Sequence, residues 1–412
     1  MLRSIASSAG RRAAKAALGP RAARVAPVGA RAFATDDAEL KKTPLYEFHI
    51  EHGGKMVPFA GWSMPIQYGD SVIESSLHCR RGASLFDVSH MCGIELTGPG
   101  AVPFVESIVV ADVQALEDGN GSLTVILNSS GGIIDDAIVT KLASDKVYMV
   151  LNAGCRDKDL AHIRAQLEAF AASPDSPAVE LSTRDDRALL ALQGPAAAEA
   201  LQPLAAADLS QLYFGQLAEI DLDGSSCYVA RSGYTGEDGF ELSVPANAAV
   251  AIAERLLLHD QVRLAGLGAR DALRLEAGLC LYGNDIDEQT NPIDAALLWT
   301  IGKRRRQTFD FVGGEPTKKA IEAGAARRRV GLVSKGPPAR HGSNILDLDG
   351  NVVGQVTSGT FSPTLKKNIA MGYVPKGLWK AGTELLVEVR GKKHQATVTK
   401  MPFVPTNYYK KE

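Results

Sequence analysis

From residue 120 onward the hydrophobic positions fall in short, β-branched runs. Residues 123–127 (LTVIL), 133–139 (IIDDAIV) and 147–151 (VYMVL) are bounded by glycine, serine or aspartate, a pattern that predicts strands. The period then changes. Leu160, Ile163, Leu167 and Phe170 recur on one face over residues 157–170, which predicts a helix. Residues 189–192 and 227–230 predict further strands, and 248–258 and 269–277 further helices. The alternation is irregular, which favours an α+β fold over a doubly wound parallel sheet. After Val330 the pattern becomes almost purely strand-like, with runs at 330–333, 344–348, 352–357, 369–373, 384–389 and 395–399. Turns are marked by Asp349-Gly350-Asn351 and Gly391-Lys392. Six short strands in so small a span predict an antiparallel barrel, with a domain boundary between 305 and 328.

The first 33 residues depart from this pattern. They contain seven basic residues (Arg3, Arg11, Arg12, Lys15, Arg21, Arg24 and Arg31) and no acid before Asp36. Arg-rich, acid-free and rich in alanine, the segment has the composition of an organelle transit peptide, with cleavage expected before Ala34 in Arg31-Ala32-Phe33-Ala34. A basic arm for an acidic partner is the competing reading. The whole chain of 412 residues carries 45 Lys+Arg and 47 Asp+Glu. Without the leader, 38 basic residues face 47 acidic ones, a net charge of −9. This argues against nucleic acid as a partner. No uncharged apolar stretch is long enough to suggest a membrane span. Five cysteines with no CxxC pair read as reduced thiols.

Several kinds of chemistry lack their motifs. There is no GxGxxG opening a βαβ unit, no Walker loop, no HExxH and no GxSxG. His78, Cys79, His90 and Cys92 match no zinc spacing, so no metal is expected. Difficult chemistry would then come from a bound carrier or partner. Basic runs at 303–306 and 327–329 read first as solvated surface, and more sharply as a docking face for an acidic partner or polyanionic tail.

Three constellations remain. In Gly131-Gly132-Ile133-Ile134-Asp135-Asp136 two carboxylates interrupt a buried-type strand, and alternation puts them on opposite faces. A buried carboxylate is costly unless paired or functional. In the segment Gly233-Tyr234-Thr235-Gly236-Glu237-Asp238-Gly239-Phe240-Glu241, a tight loop leads into a strand carrying Glu241, which could accept two parallel donors. In the segment 265–276 small residues surround Arg270, and Arg274 lies one turn on. An ion-pair set with Asp271 or Glu276 explains those arginines equally well.

Together these segments resemble the aminomethyltransferase (T-protein) family of the glycine cleavage system. So do Phe59-Ala60-Gly61-Trp62, Asp87-Val88-Ser89-His90-Met91, Leu192-Gln193-Gly194-Pro195 and Tyr282-Gly283-Asn284-Asp285, and the resemblance spans nearly all of the chain after the leader. It implies a three-domain cloverleaf around a central hole, with two interleaved domains over 40–304 and the β-barrel over 326–407. It also implies an activity: transfer of a methylene carbon from the aminomethyl group on the lipoyl arm of H-protein to tetrahydrofolate, in the mitochondrial matrix. The P- and L-proteins would be indirect partners. The resemblance makes Asp136 the catalytic residue and Glu241, Arg270, Tyr408 and Tyr234 ligand contacts. Flavin-linked demethylases of similar fold are set aside, since this chain has no dinucleotide fingerprint. The remaining alternative is the related folate-binding iron–sulfur assembly protein. Its KGCYxGQE segment is matched here only by residues 276–285, where Cys280 reads as a small buried residue.

Overall fold

A computed structural model describes residues 40–411. The basic leader over 1–33 lies outside the described residues. The architecture is α+β, as expected, and is built on two sheets and a closed barrel. The six-stranded sheet runs, in spatial order, Leu217–Leu222, Ser225–Ala230, Gly239–Pro245, Arg187–Gln193, Ala83–Asp87 and Val262–Leu264. The last two pair in parallel and the rest antiparallel. The five-stranded sheet runs Asn120–Leu127, Ile133–Ala143, Lys146–Leu151, Cys92–Thr97 and Glu180–Thr183. Its chain is inserted between Ala83–Asp87 and Arg187–Gln193, two neighbours of the first sheet. The two sheets are therefore interleaved along the sequence.

Each sheet buries an apolar face under helices. Leu190, Leu192, Phe240 and Leu242 pack under Ile252 and Leu256 of the helix Ala249–Leu257. Ile94, Val139 and Met149 pack under Phe104 of the helix Ala101–Ile108 and under Leu160 and Ile163 of the helix Arg156–Ala171. Leu167 and Phe170, the other apolar positions of that last helix, also pack against this core. The barrel closes in the order Arg327–Ser334, Lys367–Pro375, Val352–Ser362, Asn344–Leu346, Glu384–Val389 and Lys392–Thr399. Leu332, Ile345, Val356, Val387 and Val398 fill its interior. Full closure removes the exposed strand edges that so many short strands would otherwise present.

The barrel is fastened to the rest of the chain through buried charge. Glu276 ends the helix Leu267–Glu276 and is fully buried. Its carboxylate accepts Nη2 of Arg80 at 2.7 Å, the Ser362 hydroxyl at 2.5 Å and the Thr364 hydroxyl at 2.9 Å. Arg80 in turn donates to Glu237 at 2.9 Å and to the Thr235 carbonyl at 2.7 Å. A second link starts from Asp285, which accepts Arg274 at 2.7 Å, Thr357 at 2.5 Å and Ser358 at 2.9 Å. The basic runs fit the solvated reading only in part: Lys303, Arg327 and Arg328 are exposed, but other members turn inward. Arg305 and Arg329 are buried, Arg304 pairs with Asp112 at 2.7 Å, and Arg329 donates to the Ala295 carbonyl at 3.0 Å. A guanidinium with several fixed acceptors serves here as an internal brace.

Removing one side of such a buried pair strands the other. Glu276→Ala should therefore destabilise the protein by about 3–5 kcal/mol. Urea unfolding followed by far-ultraviolet circular dichroism would show this as a fall in the transition midpoint.

Candidate functional site

The two sheets and the barrel enclose a cavity of about 2120 Å³. Asp136, Tyr234, Glu241, Arg270 and Tyr408 all line it, although they span some 270 residues of sequence. Strand geometry selects which aspartate reaches it. Along Ile133–Ala143, Asp136, Ile138 and Thr140 all line the cavity, whereas Asp135 is fully buried behind the strand. The turn before the strand is fixed by Asn128, whose Oδ1 accepts the amides of Ser130 and Gly132, each at 2.9 Å. Gly132 is required, because a Cβ there would sit 1.8 Å from the Glu288 carbonyl oxygen.

Asn152, which the sequence reading did not single out, ties the two aspartates together. Its side-chain amide donates to Asp135 Oδ1 at 2.8 Å and to Asp136 Oδ1 at 3.0 Å, and its backbone amide donates to Asp135 Oδ2 at 3.0 Å. Burial, followed by repulsion from Asp135, pushes the Asp136 carboxyl far above the usual carboxylate range, while the Asn152 amide offsets part of that shift. No sequence motif announces Asn152, since its partners lie 16 and 17 positions away.

On the opposite side, Arg270 has one guanidinium nitrogen buried without a hydrogen-bond partner. The group lies 4.7 Å from the centroid of the Tyr234 ring. Desolvation lowers its basicity, an effect countered first by Glu241. The ion-pair reading holds for Arg274, which bonds Asp271 at 2.9 Å and Asp285 at 2.7 Å, but not for Arg270. The small residues beside Arg270 serve packing: a Cβ on Gly266 would approach the Ile66 backbone to 2.5 Å. Glu241 accepts the Ser232 hydroxyl at 2.7 Å and keeps its other oxygen for the cavity. Tyr234 donates its hydroxyl to the Cys280 carbonyl.

Gln193 shapes the loop leading to Glu241, donating to the Ser232 carbonyl at 2.9 Å and accepting the Thr235 hydroxyl at 2.8 Å. Tyr408 stacks on Phe214 with ring centroids 4.0 Å apart. His90 also lines the wall. It is buried, its Nδ1 has no partner, and desolvation lowers its pKa to about 4, so the ring is neutral. Burial pushes the Cys280 thiol up to about 12, which leaves it unreactive as a nucleophile. Among the described residues, one group of three potential metal-ligating side chains has its donor atoms within 4.8 Å of one another: Asp135, Cys155 and Asp159.

The chain, a two-sheet body fastened to a closed barrel around a cavity, matches two family models. The GCVT N-terminal domain matches residues 45–305 and the glycine cleavage T-protein C-terminal barrel domain matches residues 327–405. The chain belongs to the aminomethyltransferase (T-protein) family of the glycine cleavage system. It is 57% identical over 385 residues to the mitochondrial aminomethyltransferase of Pisum sativum, covering 93% of this chain and 94% of that protein. It is 52% identical over 371 residues to the mitochondrial aminomethyltransferase of Mus musculus, covering 90% and 91%. The crystal structure of the glycine cleavage system aminomethyltransferase T from Bartonella henselae superposes with a TM-score of 0.85 at 42% identity, covering 90% of this chain and all of that one.

The state of Asp136 carries a stability consequence. Between the ordinary carboxylate pKa, about 3.9, and its raised folded value, the native state binds more protons than the unfolded one. Stability therefore falls as pH rises through that window and levels off above it. Asp136→Asn removes this loss while keeping an acceptor for Asn152. The variant should melt higher than the parent at neutral and alkaline pH, with the gain vanishing in acid. Thermal melts across pH would register it.

Proposed function

We propose that the cavity binds tetrahydrofolate between Glu241 and Arg270 and that Asp136 is the catalytic carboxylate of aminomethyl transfer. The observation that carries this reading is the convergence of a shielded aspartate, a carboxylate with a free oxygen and a guanidinium with one buried nitrogen unpartnered on one cavity. The 2-amino-4-oxopterin presents adjacent N–H donors, which suit a carboxylate acceptor such as Glu241. Arg270, with one buried nitrogen lacking an acceptor, complements carbonyl or carboxylate oxygens of the ligand. The Tyr408–Phe214 stack supplies a flat apolar wall of the kind that packs against aromatic rings.

The donor in this reading is the lipoyl arm of H-protein, with the aminomethyl group on sulfur. The carbon–sulfur and carbon–nitrogen bonds of the methylene break, and bonds to N5 and N10 of tetrahydrofolate form. The two hydrogens lost from those nitrogens leave on the dihydrolipoyl thiol and on ammonia. Positive charge develops on the methylene as ammonia departs, and an ionised Asp136 beside it stabilises that charge and aids proton movement. The desolvation that raises the Asp136 pKa also strengthens this attraction, because little water screens it. The mitochondrial matrix is the proposed location, in keeping with the relatives and the acid-free leader. The assignment of residues 40–304 to two folate-binding domains and of 326–407 to the barrel domain belongs to the same proposal. Membership of the T-protein family favours this reading over the iron–sulfur assembly alternative, and Cys280 lacks the reactivity that a thiol-based role would ask of it.

Single-turnover formation of methylenetetrahydrofolate from aminomethylated H-protein tests the proposal. Asp136→Asn should slow the chemical step by about 10²–10³, the worth of one electrostatic contact to a developing charge. Near-parental rates would remove Asp136 from the mechanism.

Glu241→Ala and Arg270→Ala should instead weaken tetrahydrofolate binding by roughly 10- to 150-fold, with little change in melting temperature. Calorimetry beside a thermal melt separates loss of ligand contact from loss of fold.

A further inference from the structure

Behind the strand that carries Asp136 lies a cluster that the proposed reaction does not use. Asp159 sits in the first turn of the helix Arg156–Ala171 and is fully buried, and neither of its carboxyl oxygens has a hydrogen-bond donor. One of its oxygens, an oxygen of Asp135 and the sulfur of Cys155 fall within 4.8 Å of one another. Asp135 is placed differently, since each of its oxygens accepts an N–H of Asn152. Two ionised carboxylates at this range in a water-free interior repel strongly, so the pair holds a proton between them. The proton belongs on the carboxyl that accepts nothing. On Asp135 it would compete with the two Asn152 bonds.

The surrounding groups do not neutralise Asp159. Lys158, next in sequence, donates to the Ile134 carbonyl and the Tyr282 hydroxyl, each at 2.5 Å, and pairs with Glu288 at 3.2 Å. Burial pushes the thiols of Cys155 and Cys92 up and keeps them neutral, and the Tyr282 phenol likewise. His162, one turn along the helix, is held neutral by desolvation. Asp136 lies beyond Asp135 and Asp285 farther off, and both add only negative charge or none. Burial first, then Asp135, drives the Asp159 carboxyl well above its usual range.

We propose that Asp159 is a positioning residue for the transfer reaction: it stays protonated and donates its hydrogen to Asp135. Asp135 is thereby kept ionised and holds the Asn152 amide in place, and that amide orients Asp136. The inference rests on the reading of Asp136 as the catalytic carboxylate.

Two measurements test it on the full chain. Infrared spectroscopy with isotope-labelled aspartate, in mildly alkaline buffer, should show a protonated carboxyl band that survives Asp136→Asn and disappears in Asp159→Asn. A band that persists in Asp159→Asn places the proton elsewhere and overturns the proposal. In turnover assays Asp159→Asn, which keeps a donor, should match the parent. Asp159→Leu should lose about ten-fold in kcat, the worth of about one hydrogen bond, with little change in KM. Its acid limb should move to lower pH, because a proton relocated to Asp135 removes the repulsion acting on Asp136. A folded Asp159→Leu with parental kcat and pH profile would show that the side chain only fills space. An equal loss in Asp159→Asn would show that the site needs an ionised group, as a bound cation would. If the Leu variant does not fold, Asp159→Asn decides: parental turnover without the band supports the proposal, and loss of turnover overturns it. Full activity in Asp136→Asn would sink the catalytic assignment while leaving the infrared result standing, so the two readings fail separately.

Discussion

A single carboxylate, that of Glu276, joins the part built on the six-stranded sheet to the barrel. It takes a bidentate guanidinium from Arg80 on one side and two hydroxyls from the barrel on the other. An apolar contact at this place would resist separation but leave the angle between the parts free. Fixed hydrogen bonds to a charge set both distance and direction. Asp285 repeats the device with Arg274, Thr357 and Ser358. A cavity whose walls come from three bodies needs such directional fastening, since a shift of about 1 Å is enough to spoil a reactive geometry.

The same economy of charge shapes the cavity. Three buried guanidiniums are held by several acceptors each, those of Arg80, Arg231 and Arg274. Arg270, lined up on the cavity beside an aromatic face, has one buried nitrogen unmatched. Beside guanidiniums held by several acceptors, a vacancy that faces the cavity is informative. The carboxylates show a parallel contrast: Glu276 and Asp285 are fully engaged, whereas Asp136 receives only the shared amide of Asn152.

Much of this was legible in the sequence. The β-branched runs and their turns gave the barrel strands directly, and strand alternation together with the family resemblance separated Asp136 from Asp135. Turn glycines flagged the loop before Glu241. The sequence was least legible where long-range partners decide. Short strands such as Ala83–Asp87 and Val262–Leu264 take their identity from pairing with each other across some 180 residues, and no local period reveals that. The arginine runs near 304 and 328 look solvated by composition, but distant carboxylates and carbonyls turn several of them inward. Asn152 follows a strand with no recognisable motif, and its importance comes only from the two aspartates that the fold places against it. The resemblance supplied the interleaving of the two sheets, which the local pattern could not, because the insertion of one sheet into another is a property of the whole topology.

Residues 407–409 close the wall that the earlier ones begin. The backbone amide of Asn407 reaches the Gly236 carbonyl at 2.8 Å, and the Tyr409 carbonyl accepts the amide of Phe214 at 2.7 Å, which sets Tyr408 against the Phe214 ring. During synthesis, both sheets and the barrel emerge from the ribosome before this strap does. A chain ending before residue 407 would retain every core strand, yet its cavity would lack one side. The cavity therefore gains this side only after residues 407–409 have been made, later than every core strand.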